Sequence, residues 1–207
     1  YIVTLSKESY AIGFDELNFD YIRFPSDGDM KDIAYMWSEG KTKQEALEEF
    51  FKYLHEQLKS IGVVTSADLF GMTATNQDDL NIGQVLERAL PYFDFIDPMV
   101  YPSHYPKGFN GYVDVNANAY NIVHFSMSEA VKRTVATTTP IASFAYTRIG
   151  TSTPAVYAKP AYPASKIRPW LQSFDYPVTY TAEMVKEQIQ ANIDAGLNSY
   201  LFWDPSN

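Results

Sequence analysis

Apolar residues along this chain follow two alternating patterns. Some recur at helical spacing, and others gather in short runs closed by polar or turn residues, as buried strands do. Tyr1 to Gly13 predicts a helix with Ile2, Leu5 and Ile12 on one side and Gly13 as its C-cap. A short strand follows within GFDELNFDYIRFPSDG, stopped by Pro25, and then a polar loop from Asp27 to Lys43. Leu47, Phe50, Phe51, Leu54, Leu58 and Ile61 predict a helix ended by Gly62, and Val63 to Phe70 a buried strand. Asn76 to Leu90 reads as a helix, Phe93 to Tyr101 as a strand, Pro102 to Ala117 as a loop and Ala119 to Val135 as a helix. PIASFAYTR is a short strand or part of an excursion, and Thr151 to Ser165, rich in Pro, Ala and Ser, reads as an extended surface loop. KIRPWLQSF predicts a strand. Thr181 caps a helix carrying Met184, Val185, Ile189 and Ile193 that ends at Gly196, and NSYLFWDPSN closes the chain as a strand.

Short apolar strands alternating with helices argue for a parallel sheet with helical crossovers, either an open doubly wound sheet or a (β/α)8 barrel. A doubly wound nucleotide-binding sheet should carry a glycine-rich phosphate loop, and the chain has neither GxGxxG nor GxxxxGK[ST]. Instead each strand ends in side-chain chemistry: Asp20 and Arg23, Asp68, Tyr101 and His104, Gln172 and Asp175, Trp203 and Asp204. Barrel enzymes build their sites there, so the expected fold is α/β, a (β/α)8 TIM-type barrel. A full barrel takes about 250 residues, and the pattern gives five strands. A helix leading straight into a strand also implies a strand before it. Residues 1–207 are therefore expected to be the C-terminal portion of one barrel domain, with strands four to eight present.

Composition narrows the chemistry. The chain has 207 residues, 46% hydrophobic and 20% charged, enough for one sizeable core. A net charge of -9 argues against nucleic acid as a partner. The absence of cysteine excludes disulfides, zinc thiolate sites and a cysteine nucleophile. No run is long and apolar enough for membrane insertion. Asp27, Asp29 and Asp32 lack EF-hand spacing and read as a solvated loop, and no paired-histidine motif occurs, so neither metal nor cofactor is expected. Lysine Schiff-base chemistry fits poorly, because Lys166 alone lies near a strand and at its start. Aromatic residues make up 15% of the chain; they bury area and can stack on sugars.

GFDELNFDYIRFPSDG, ADLFGM, DPMVYPSHYPKGF, KIRPWLQSFDY and GLNSYLFWDPSN together resemble domain-of-unknown-function family 4015, a glycoside hydrolase family of the (β/α)8 glycosidase superfamily. The likeness covers nearly the whole chain and all five strand ends in order. It implies a sugar-cleaving role, a carbohydrate substrate and an extracellular or cell-surface location. The family 18 chitinases are a more distant match, with a fourth-strand motif DGxDxDxE. Here the register gives Asp15, Asn18 and Asp20, then Ile22 at the catalytic acid, with Met99, Tyr101 and Trp203 in their places. The frame is similar and the acid is missing, so the chitinase mechanism in its usual form does not transfer.

Glycoside hydrolysis needs two carboxyl groups across the scissile bond. Asp20 and Asp68 end neighbouring strands and, by alternation, share their faces with Asn18 and Ser66. Asp20 is the candidate nucleophile or base and Asp68 the candidate general acid. The bland alternative is that each caps a loop or pairs with Arg23 or Arg168. Asp97 reads as a structural buried acid, Glu16 lies at the wrong end of its strand, and the helical glutamates read as solvated. Candidate substrate-binding residues are Arg23, Tyr101, His104, Arg168, Trp170, Gln172, Asp175, Trp203 and Asp204, with salt bridges, core packing or loop capping as their alternatives. With no glutamate at a strand end, the rival reading is a non-catalytic carbohydrate-binding barrel of the cell envelope.

Overall fold

The computed structural model describes residues 1–205. The chain runs α1 (Ile2–Ala11), β1 (Glu16–Phe19), α2 (Lys43–Leu58), β2 (Val64–Phe70), α3 (Leu86–Ala89), β3 (Phe95–Met99) and α4 (Ala119–Val135). It continues with β4 (Thr138–Thr139), β5 (Thr147–Ile149), β6 (Val156–Ala158), β7 (Trp170–Gln172), α5 (Ala182–Asp194) and β8 (Leu201–Trp203). The main sheet has five strands in the order β1-β2-β3-β7-β8, all parallel, and a small antiparallel sheet is ordered β4-β6-β5. Sequential parallel strands joined by helices are compatible with part of a (β/α)8 barrel.

Period-two alternation sorts the sheet's two faces. Ala67, Leu69, Ile96 and Leu171 point outward into one core with Phe51, Leu54 and Leu58 of α2 and Ile122 and Met127 of α4. Ser66, Asp68, Asp97 and Trp170 point the other way and meet across the sheet. Asn18 of β1 bonds Asp97 of β3, Trp170 of β7 bonds Asp68 of β2, and Arg168, just before β7, reaches Glu16 of β1. On a flat sheet β1 and β7 would lie roughly 14 Å apart at ordinary strand spacing. Side chains linking strands so far apart show that the sheet curls and that its polar face is concave.

Local chemistry explains where the elements stop. Thr42 and Glu45 form a reciprocal capping box at the start of α2, and the left-handed Gly62 ends the turn after it. Thr181 caps α5 through the Met184 amide. The predicted helix over 76–90 is largely absent, since only Leu86–Ala89 is helical. Asp78 and Asp79 accept the amides of Leu80 and Asn81, both left-handed, so side-chain turns displace the helix. The loop expected over 151–165 contains β6, whose Tyr157 pairs with Arg148 of β5 and Thr139 of β4. Its prolines flank the three-residue strand instead of interrupting it. The apolar side of α1 is not buried. Ile2 and Leu5 remain exposed and line an open groove with Phe14 beside β1, which pairs with β2 alone among the described residues.

Candidate active site

Four layers of side chains rise along the concave face. At the bottom, Arg168 joins Glu16 and Asp97, donating to Asp97 from Nε at 3.2 Å and Nη2 at 2.8 Å. The guanidinium holds the Glu16 carboxyl below its usual range, and Glu16 in turn raises the Arg168 pKa. Asp97 is fully buried; burial pushes it up to about 7, against the pull of Arg168.

Asn18 forms the next layer. Its Nδ2 lies 3.0 Å from Ser66 Oγ, 2.9 Å from Asp68 Oδ1 and 3.2 Å from Asp97 Oδ2, and the Ser66 hydroxyl donates to Glu16 Oε1 at 2.6 Å. One amide thus ties β1 to β2 and β3.

Asp68 comes above, and only 4% of it is exposed. Two donors converge on one of its oxygens: Asn18 Nδ2 at 2.9 Å and Trp170 Nε1 at 2.7 Å both reach Oδ1. Among the described residues none donates to Oδ2, so a protonated Asp68 carries its hydrogen there. Burial pushes the Asp68 pKa up to about 6; the two hydrogen bonds oppose this and the nearby Asp20 charge adds to it.

Asp20 opens the top layer, one residue past β1, exposed to solvent. Its Oδ1 accepts the Tyr21 amide at 2.7 Å. Tyr21 itself is left-handed, with φ 53°, which turns the backbone and sends Ile22 into the core. Ile22 therefore lies outside the cavity lining. Arg23 stands beside Asp20 with its guanidinium over the Tyr21 ring at 5.1 Å and Nη1 donating to Phe24 O and Ser26 Oγ.

Above the lowest layer lies one cavity of about 480 Å³, lined by Asn18, Asp20, Asp68, Tyr101, His104, Trp170 and Trp203 among others. Gly71 closes its rim where β2 ends. A Cβ there would lie 2.3 Å from Met99 O, so only glycine fits against the backbone of β3. Arg133 of α4 fixes the segment after β2 from outside, donating through Nη1 to the carbonyls of Thr73, Ala74 and Asn76 and pairing with the buried Glu87 at 2.5 Å.

Of the residues expected to bind substrate, Arg23, Tyr101, His104, Trp170 and Trp203 line the cavity. Arg168 does not, being held beneath it by Glu16 and Asp97. Gln172 is fully buried, its amide bonded to Ser103, Phe174 O and Tyr176 O. Asp175 accepts the Tyr180 amide and also lies outside the lining, as does Asp204. Asn18 is the residue that sequence reasoning underrated; its one signal was the shared face with Asp20.

The chain matches, over residues 1–207, the family described as "Putative glycosyl hydrolase domain", and it belongs to that family, domain-of-unknown-function family 4015. The family gives it a carbohydrate-active role. No curated protein sequence matches it. Among solved structures it is similar to the glycoside hydrolase domain of PgaB (BpsB) from Bordetella bronchiseptica, with TM-score 0.47 and 15% identity over 81% of this chain and 38% of that one. It is also similar to the spore cortex-lytic enzyme SleL of Bacillus megaterium QM B1551, with TM-score 0.45 and 17% identity over 99% of this chain and 37% of that one. The chain thus spans less than two-fifths of either protein.

Proposed function

We propose that the chain forms strands four to eight of a (β/α)8 glycoside hydrolase that cleaves an oligo- or polysaccharide with Asp68 as general acid and Asp20 as nucleophile or base. The observation that carries this is the asymmetry of Asp68. Asn18 and Trp170 occupy Oδ1, which leaves Oδ2 as the proton-bearing oxygen at a cavity wall. A carboxyl ionising near 6 keeps enough acid form for proton donation in mildly acidic to neutral solution.

In this reading the Asp68 proton passes to the glycosidic oxygen as its bond to the anomeric carbon breaks. The Asp20 carboxylate, with Oδ1 held by the Tyr21 amide, attacks that carbon or takes the proton of an attacking water. The indoles of Trp170 and Trp203, edge to face at 6.1 Å, offer apolar wall for a sugar ring, and Tyr101 and His104 offer polar atoms to its hydroxyls.

The test is a panel of aryl glycosides and polysaccharides assayed with the wild type, Asp68→Asn and Asp20→Asn. Turnover that drops roughly a hundredfold or more in both variants, with binding kept, supports the acid pair. Glycan binding without any turnover, unchanged in Asp20→Asn, would instead identify a carbohydrate-binding barrel.

A further inference from the structure

The cavity beside the two aspartates does not end at Trp203. A second one, about 550 Å³, adjoins it and is lined by Tyr101, Ser103, His104, Phe174, Tyr176 and Trp203. Tyr101, His104 and Trp203 belong to both walls. The second cavity is aromatic and built as a unit. His104 packs against Tyr101 at 5.3 Å, Phe174 at 6.0 Å and Tyr176 at 6.1 Å, and Tyr101 meets Phe174 at 5.4 Å. Among the described residues no Asp, Glu, Lys or Arg lines it.

Hydrogen bonding fixes the protonation of its single imidazole. Gln172 is fully buried, and Gln188 holds its backbone on both sides, accepting from its amide and donating to its carbonyl at 2.9 Å each. The Gln172 Nε2 donates to the carbonyls of Phe174 and Tyr176, so Oε1 must be the atom that faces Ser103. There Oε1 accepts the Ser103 amide at 3.2 Å and the Ser103 hydroxyl at 2.8 Å. With its only hydrogen committed to Gln172, Ser103 Oγ can only accept from its other neighbour, His104 Nδ1, at 3.0 Å. His104 Nδ1 therefore carries a hydrogen. Partial burial lowers the His104 pKa, so the ring is neutral near pH 7 and above and Nε2 is left as a bare acceptor.

We propose that the second cavity is a subsite for a neighbouring sugar ring, and that His104 Nε2 accepts a hydrogen bond from a hydroxyl of the bound chain where the two cavities join. The substrate class that fits is a glycan of at least two uncharged rings, one at the aspartates and the next against Tyr176 and Phe174. The inference rests on the glycosidase reading of the first cavity for the ring it adjoins, whereas its hydrogen-bond logic stands alone. Tyr101, Trp203 and the Gln172 amide hold the wall; Ser103 is a positioning residue, acting through the imidazole.

Nitrogen-15 NMR of the uniformly labelled, ligand-free chain at pH 8 gives the first test. The chain has 3 histidines, and loss of one signal set in His104→Gln assigns the residue. The expected result is a protonated Nδ1 and an unprotonated Nε2, reversing toward Nε2–H in Ser103→Ala, which removes the acceptor. A wild-type His104 with its hydrogen on Nε2 overturns the proposal whatever the enzyme does. The second test compares Tyr176→Ala on a polysaccharide and on an aryl glycoside of a single sugar. Loss of about tenfold in kcat/KM on the polymer with little change on the single sugar is expected; equal loss on both overturns the subsite. If the panel shows no turnover at all, the glycosidase reading falls separately. In that case the His104 Nε2 shift on adding cellotriose or chitotriose, but not glucose or N-acetylglucosamine, still supports the subsite, and the absence of any shift overturns it.

Discussion

Asp68 concentrates opposing demands in one carboxyl. A group held in apolar surroundings with a raised pKa is useful as an acid and costly as a charge. Its folded pKa of about 6 lies above the ordinary 3.8, so the fold binds the Asp68 proton more tightly than the unfolded chain does. Stability from this group is therefore complete below about 4, declines as pH rises through that window, and is lowest above about 6. Asp68→Asn keeps an acceptor for Asn18 and Trp170 and turns an amide nitrogen toward the cavity. Thermal unfolding should find it more stable than wild type at pH 8, by about 3 kcal/mol, with the gap vanishing near pH 4. Turnover should be lost at both. In the wild type, activity that needs the Asp68 proton should fall as pH passes about 6. That Asp20 and Asp68 line one cavity was legible because they end neighbouring strands on the same face. Asn18 was not, since an amide declares its role only through the acceptors around it. Nor did strand alternation foresee that the left-handed Tyr21 would turn Ile22 into the core.

The elements that could be read from the chain were those whose pattern is self-sufficient. α4 spans the range read for it, α5 starts after its Thr181 cap, and β2 and β3 differ from expectation by a residue or two at their ends. Two segments were misread: the turns over 76–85, where local aspartate side chains displace the helix, and the three-stranded sheet β4-β6-β5, whose strands find partners outside their own pattern. The strand ends also depend on such partners, which gives two predictions. Gly71→Ala would force a methyl group against the Met99 backbone, 2.3 Å from its O, with the Tyr105 hydroxyl 3.0 Å away, and backbone cannot yield as a flexible side chain would. A loss of roughly 1–3 kcal/mol in denaturant unfolding is expected, together with reduced turnover, because β2 carries Asp68 three residues earlier. Arg168→Gln strands the buried Asp97 without its guanidinium. The cost should reach about 3–5 kcal/mol at pH 8. It should shrink toward pH 5, where Asp97, already pushed up to about 7 by burial, takes a proton instead. A deficit independent of pH would mean that Arg168 stabilises the sheet by packing alone.

At the scale of the whole molecule, buried ion pairs join the outer helices to one another, Glu48 of α2 to Arg88 of α3 and Arg133 of α4 to Glu87 of α3. Glu48 sits in α2 inside an EALEEF run that reads as a solvated face, yet it is fully buried. Its Oε1 accepts from Tyr92 at 3.1 Å, from the Ser143 hydroxyl at 2.5 Å and from the Phe144 amide at 2.8 Å, while Oε2 meets Arg88 Nη1 at 2.6 Å. Periodicity marks which side of a helix faces its own sheet. It cannot show that a later segment, here 143–144 from the antiparallel excursion, will cover the flank. Glu48→Gln separates the charge from the geometry. The amide oxygen can still serve Tyr92, Ser143 and Phe144, but its NH2 would face Arg88, setting donor against donor beside an unpaired buried cation. A loss of about 3–5 kcal/mol is expected in urea. If the stranded charge is the cause, adding Arg88→Met should restore part of that loss, because no ion is left buried and the unmet amide NH2 costs less than an unpaired cation. Should the double variant be no better than Glu48→Gln alone, the carboxylate's role is to hold the excursion. Faster chymotryptic cleavage after Phe144 in both variants would then follow.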